Sequence, residues 1–254
     1  MAIGLRLVSS DAAMVFVAFA LMLAIWEGIT LTGSLKSYVL PSPVSVWHAL
    51  VQAEKTLERE ALTTLVEVVA GFIIAAFAGI LTAIAIVYVR VVERVIYPFL
   101  VTSQAIPKVA IAPIIVAWLG IGTAPRIVLA ALLAIFPIIV STVVGLKEID
   151  PMMMLMGRST GATRLQVFWR IRLPNAMPSV FGGLKVGVTL SVVGAVVGEF
   201  MAGSSGLGYV INSAQASIQM ELAIAALVVL SVEGIVLFYV IEAAERLFMR
   251  RGRG

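Results

Sequence analysis

The chain of 254 residues is 61% hydrophobic and 13% charged, with a mean hydropathy of +1.09. Soluble domains carry roughly 25% charged residues, so a chain this apolar is expected to have lipid as its main solvent. No cysteine and one histidine, His48, exclude a disulfide framework, a thiolate nucleophile and a histidine metal site. A net charge of +4 and a pI of 9.6 read as the basic excess of cytoplasmic loops, not as a nucleic-acid surface.

Six apolar runs can cross a bilayer as helices, since roughly 20 residues span the hydrocarbon. They cover 12–33, 62–89, 96–119, 127–145, 181–202 and 222–242. None alternates with period two, and a backbone in lipid must bond to itself, so the fold class is an all-α membrane protein with six transmembrane helices. Residues 1–11 followed by Ala12–Trp26 resemble a signal peptide in outline. No small-x-small cleavage site precedes a soluble domain, so a retained first span is expected.

Residues 34–61 read as a proline-bounded extended piece and then an amphipathic helix with Trp47, Leu50, Val51 and Leu57 on one side and Trp47 and His48 at the membrane interface. The third run, YPFLVTSQAIPKVAIAPIIVAWLG, contains Pro98, Pro107 and Pro113, with Gln104 and Lys108 near mid-depth. Internal prolines predict a kinked helix. Lys108 either lines a solute pathway or is a buried structural cation paired with a carboxylate such as Glu199. In the fifth run Gly183, Gly187, Ser191, Gly194 and Gly198 fall on one helical face, a stripe for close helix approach, with Glu199 at its end and GSSGLGY after it as a flexible exterior turn. Glu27, Glu67 and Glu233 read as structural carboxylates.

Lys and Arg are distributed unevenly between the loops. Arg6, Arg90, Arg94, Lys147, Arg158, Arg164, Arg170, Arg172, Arg246, Arg250, Arg251 and Arg253 fall on one side; Lys36, Lys55, Arg59 and Arg126 fall on the other. This twelve-to-four bias puts both termini and the 146–180 segment in the cytoplasm. The expected organisation is an N-terminal span and extracytoplasmic segment (1–61), a five-helix core (62–242) with its loop at 146–180, and a basic tail (243–254).

No G-x-x-x-x-G-K-[ST], H-E-x-x-H, G-x-S-x-G or Asp-x-x-Asp arrangement occurs, so no catalytic or metal site is expected, and uphill transport would draw on a partner or an ion gradient. In the 146–180 segment Asp150 is a candidate N-cap and Pro151 a first helical residue. Met152, Met153, Met154, Leu155 and Met156 then coat a short helix suited to a partner's groove, or to an ordinary interfacial helix. Gly161 permits a left-handed turn, and a second helix, ATRLQVFWRIRL, is expected to stop at Pro174.

GATRLQVFWRIRLP resembles the G-x9-I-x-L-P cytoplasmic loop of binding-protein-dependent ABC importer permeases, with Gly161, Ile171, Leu173 and Pro174 in register. LPSPVSVWHAL, AIPKVAIAPIIVAWLGIG and VVGEFMAGSSGLGYVI look like the nitrate/sulfonate/taurine-type branch. The resemblance covers about residues 22–246. Where the family loop opens with Glu-Ala-Ala, this chain has Leu155, Met156 and Gly157, so the acidic residue is missing. The resemblance implies a type I permease fold in a prokaryotic plasma membrane, paired with a second copy. It also implies two cytosolic ATPase subunits, which bind ATP and Mg, and an extracytoplasmic solute-binding protein. The coupling residues would be Asp150, Met153, Met154, Leu155, Met156, Arg158, Gly161, Ala162, Arg164, Ile171, Leu173 and Pro174. The solute pathway would involve Gln104, Lys108 and Glu199. The substrate is expected to be a small anion such as a sulfonate, nitrate or bicarbonate, with a vitamin precursor as the alternative. A non-transporting scaffold and a proton-coupled carrier are the rivals from other classes.

Overall fold

The computed structural model describes residues 2–32, 36, 38–149, 152, 153, 155, 159 and 161–251, with side chains from residue 14 onward except 15, 250 and 251. Of the predicted coupling residues, Asp150, Met154, Met156 and Arg158 lie outside the described residues, as do Pro151, Gly157 and Arg253. Every described element is helical: α1 (Ala2–Leu31), α2 (Pro43–Gln52), α3 (Glu54–Tyr88), α4 (Arg90–Thr102), α5 (Ala112–Leu119), α6 (Thr123–Lys147), α7 (Arg164–Ala202), α8 (Leu207–Ala216) and α9 (Met220–Arg251). Among the described residues α3, α6, α7 and α9 are long and apolar enough to cross a membrane, and α4 with α5 forms a broken fifth span. Helix α1 adds 30 residues with a shorter apolar stretch at Phe16–Leu31, so four to five of the six expected spans are long and apolar enough to cross among the described residues.

The chain divides into two compact units, Met1–Glu58 with Val210–Val228, and Arg59–Tyr209 with Val229–Gly254. In the first, Ser42 caps α2 by accepting a hydrogen bond from Ser45 N at 3.1 Å, and Pro43 opens the helix, where its missing N–H costs nothing. Trp26 Nε1 donates to Pro41 O at 3.0 Å, holding α1 against the α2 entrance. Helix α2 ends at Ala53 before α3 begins, so 43–61 is not one amphipathic helix. Val46 and Leu57 are buried, whereas Trp47 is 64% exposed and Val51 is exposed as well.

The second unit is built around α6 packed along α7. All five members of the small-residue stripe are buried, and α6 of the same chain lies on them. A Cβ on Gly194 would sit 2.5 Å from Leu129 O, and one on Gly198 would sit 2.8 Å from Arg126 Cα. The stripe is therefore not available as a surface for a second copy. Around this contact Val68, Ala130 and Ala195 form one core cluster, and Ala75, Ala134 and Ile138 another.

Two expectations about proline are corrected. The helix beginning at Arg164 does not stop at Pro174 but continues to Ala202. A π turn at Phe168–Arg172, closed by Leu173 N to Phe168 O, widens the helix just before the proline, where a regular turn would press its ring on the Arg170 carbonyl. The third span is not a kinked helix but two pieces meeting at 90°. Pro98 is accommodated within α4, and Pro113 sits in the first turn of α5. Pro107 makes the break: Ile106 before it is extended, with φ −81° and ψ 122°, as the residue preceding a proline prefers.

Candidate functional site

The break in the third span exposes what a membrane normally hides. Short 3-10 turns at Ser103–Ala105 and Lys108–Ile111 flank it, and Gln104, Ala105, Ile106 and Pro107 are all exposed. Lys108 Nζ sits 5.0 Å from the centroid of the Phe136 ring. No carboxylate lies within ion-pair distance of it among the described residues. Two other cations, by contrast, are paired: Arg126 with Glu67 at 2.8 Å and Lys185 with Glu245 at 2.6 Å. The structural alternative for Lys108, an ion pair with Glu199, is not formed.

Glu199 belongs instead to a buried polar knot. It is 1% exposed, and both its oxygens are engaged: Thr64 Oγ1 donates to Oε1 at 2.6 Å and Gly208 N donates to Oε2 at 2.5 Å. Glu60, Thr64 and Glu67 recur at four- and three-residue spacing and so share one face of α3. Glu60 Oε2 accepts from Gly206 N at 2.6 Å, and Thr64 Oγ1 accepts from Leu207 N at 2.8 Å. Arg126, also 1% exposed, donates from Nη1 to Glu67 Oε1 at 2.8 Å and to Ser205 O at 3.2 Å, and from Nη2 to Ala202 O at 3.3 Å. A cation in the first turns of α6 opposes the helix dipole, which Glu67 offsets.

This knot explains the glycines of GSSGLG. The Glu199 side chain lies flat against the loop, so a Cβ on Gly206 would run into its carboxylate, and one on Gly208 would sit 2.6 Å from Oε2. Gly206 also has φ 97°, a conformation that side-chain-bearing residues avoid. The segment read as a flexible exterior turn is thus held by four polar side chains from α3, α6 and α7. Arg126 was read as a loop residue; its burial against Glu67 comes only from the packing of α6 on α3.

At the opposite end of α7, Gly161 has φ 70°, the left-handed conformation its glycine permits. Thr163 and Gln166 then form a capping box: Thr163 N donates to Gln166 Oε1 at 2.8 Å, and Gln166 N donates to Thr163 Oγ1 at 3.3 Å. Phe168 packs edge-on against Tyr88 at 5.7 Å, and the Arg172 guanidinium lies 5.5 Å above the Tyr88 ring. Arg164, Leu165 and Trp169 are exposed, and an apolar groove of about 350 Å³ runs between Ile84, Tyr88, Arg164, Leu165 and Phe168. Ala162, Ile171 and Leu173 are half-buried and Pro174 is exposed. Met152, Met153 and Leu155 are exposed as well.

A helical membrane protein with one broken span, a half-buried intramembrane cation and a capped loop helix running into a span defines a polytopic transport component. The family of binding-protein-dependent transport system inner membrane components matches residues 71–253, and the chain belongs to it, as an ABC importer permease of the nitrate/sulfonate/taurine branch. The chain is 36% identical over 239 residues to the riboflavin transport system permease protein RibX of Chloroflexus aurantiacus, covering 92% of this chain and 88% of that one. It is 26% identical over 234 residues to the taurine transport system permease protein TauC of Escherichia coli, covering 89% and 85%. A solved amino acid ABC transporter shares the fold with a TM-score of 0.62 at 15% identity, over 80% of this chain and 96% of that one.

Proposed function

We propose that the chain is the transmembrane subunit of an ATP-driven importer, forming the solute pathway with a second copy of itself and coupling through its 150–174 loop to two cytosolic ATPase subunits. The observation that carries this reading is the open break at Gln104–Lys108. Irregular backbone at membrane depth is tolerated only where protein covers it or water lines it. In the single chain it is exposed, so a second copy meets it around a central aqueous path. Two-fold pairing is the commonest closure for identical chains.

Gln104 and Lys108 line this path, and Glu199, with both oxygens engaged, holds its wall in place without touching solute. The ammonium of Lys108 presents donors with no carboxylate to satisfy them, which suits a small anion such as a sulfonate, nitrate or bicarbonate. A second reading, a vitamin precursor with carbonyl acceptors, draws support from the higher identity to the permease named for riboflavin than to the one named for taurine.

The cytoplasmic end follows from the Lys and Arg bias, with both termini inside and the membrane that of a prokaryotic cell. Gly161, Ala162, Arg164, Ile171, Leu173 and Pro174 build the base of α7, and the exposed Met153 and Leu155 offer adaptable apolar contact to the ATPase. Asp150, Met154, Met156 and Arg158 complete this docking element, which relies on packing where the family's acidic residue is replaced by Leu155. ATP binding draws the two docking elements together and rocks the spans from inward-open to outward-open. An extracytoplasmic solute-binding protein delivers the solute.

Lys108→Ala is expected to assemble with the ATPase yet take up an anionic solute about tenfold or more slowly, since a hydrogen bond to a charged group contributes ~1.5–3 kcal/mol. Uptake in reconstituted vesicles checks this. A wild-type rate for the anion removes Lys108 from the path. Slowed uptake of an anion alongside unchanged uptake of a neutral heterocycle separates the two substrate readings.

A further inference from the structure

Helix α7 is one continuous element of 39 residues, about 58 Å long at ~1.5 Å per residue. This exceeds the roughly 30 Å of hydrocarbon, so part of the helix projects beyond it. One end carries the capped docking loop and the other carries Glu199 and the glycine loop. What happens at the glycine loop therefore reaches the docking loop through a single helix.

The loop is attached to this helix in a particular way. Its amides at Gly206, Leu207 and Gly208 each donate to a different buried acceptor, on Glu60, Thr64 and Glu199 respectively. Thr64 is the centre: its hydroxyl accepts from Leu207 N and donates to Glu199 Oε1, so one side chain of α3 ties the loop to α7. Ser204 and Tyr209 stand exposed directly beside this buried set. A protein pressing on them acts on the knot without an intermediary.

The knot also has spare capacity. Glu67 Oε2 and Arg126 Nε are buried with no hydrogen-bond partner. One guanidinium stands among three carboxylates on two helices, bonded to one of them. Polar groups left unbonded inside a protein are costly, so these two atoms mark where a rearrangement of the knot would gain bonds.

We propose that Glu60, Thr64 and Glu199, with Arg126, form a latch that fixes loop 203–208 to the outer end of α7, and that docking of the solute-binding protein on this loop is transmitted through the latch and α7 to the ATPase. The proposal rests on the importer reading above. Thr64 is a positioning residue: it acts through Glu199 and the loop and touches no solute.

The test is the ATPase activity of the full complex in vesicles, with and without the liganded solute-binding protein. Thr64→Val keeps the shape and removes both hydrogen bonds. It is expected to retain basal hydrolysis and lose about fivefold or more of the stimulation by the binding protein, and Thr64→Ser is expected to restore it. Glu60→Gln, which retains one acceptor oxygen for Gly206 N, is expected to lose part of the stimulation. Hydrogen exchange at Gly206, Leu207 and Gly208 is expected to speed up in Thr64→Val. A responsive wild type with an equally responsive Thr64→Val overturns the latch and leaves the importer reading standing. A loss of basal and stimulated activity in equal proportion in both Thr64→Val and Glu60→Gln also overturns it, since that is the mark of a purely structural role. A wild-type complex indifferent to the binding protein overturns the importer reading itself, and the latch with it.

Discussion

Arg126→Met is expected to cost the folded chain about 3–5 kcal/mol, the usual penalty for leaving a buried charge without its partner. The reason is local. Arg126 is almost completely enclosed and joins α6 to Glu67 of α3 and to the carbonyls of Ala202 and Ser205. Without it, Glu67, also 1% exposed, has no cation, and the carbonyls of Ala202 and Ser205 lose a donor. Thermal unfolding of the detergent-purified chain measures the effect. The double variant Arg126→Met, Glu67→Met is expected to lose clearly less than Arg126→Met alone, because both members of the pair are replaced by apolar groups of similar volume. Equal losses in the single and double variants would mean that the ion pair is not what holds this end of α6.

Gly194→Val is expected to be the most damaging change on the α6–α7 contact. A Cβ there would meet Leu129 O at 2.5 Å, Ala130 Cα at 2.6 Å and Ala130 N at 2.8 Å, all backbone atoms with no rotamer to escape into. The helices must separate, and overpacking of this kind costs about 1–3 kcal/mol or more. Gly182 on the same helix is the internal control, since nothing lies within 4 Å of its Cβ position. Gly182→Ala is expected to be neutral or to stabilise by about 0.5–1 kcal/mol through helix propensity. Similar melting temperatures for the two variants would contradict the close approach.

Elements that repeat along the chain are legible in its sequence, whereas those that meet only in space are not. Hydropathy located the spans because an apolar run in lipid has one solution, the helix. It placed the start of α3 at residue 62, whereas the helix begins at Glu54, because the charged turns Glu54–Glu60 continue it with polar residues that hydropathy cannot count. The stripe from Gly183 to Gly198 was legible from its spacing, but periodicity names a face and not its occupant. The occupant is α6 of the same chain.

Prolines gave the right places and the wrong consequences. Pro107 breaks the span outright because the residue before it is extended, while Pro174 breaks nothing because a π turn precedes it. Neither outcome follows from composition. The knot was invisible for a different reason. Glu60, Thr64, Glu67, Arg126 and Glu199 lie up to 139 residues apart in the chain, and only the packing of α3, α6 and α7 brings them together. Charge counting had assigned Arg126 to a loop, since a buried arginine and a solvated one read alike in sequence.

The central claim is that this chain moves solute with energy drawn from ATP through a separate subunit. Vesicles holding the chain, its ATPase and ATP inside, with the solute-binding protein and labelled solute outside, test it most directly. Accumulation is expected to require ATP hydrolysis and to persist when ionophores collapse the proton and sodium gradients. Accumulation that continues without the ATPase, or that stops when the gradients are collapsed while ATP remains, would contradict it.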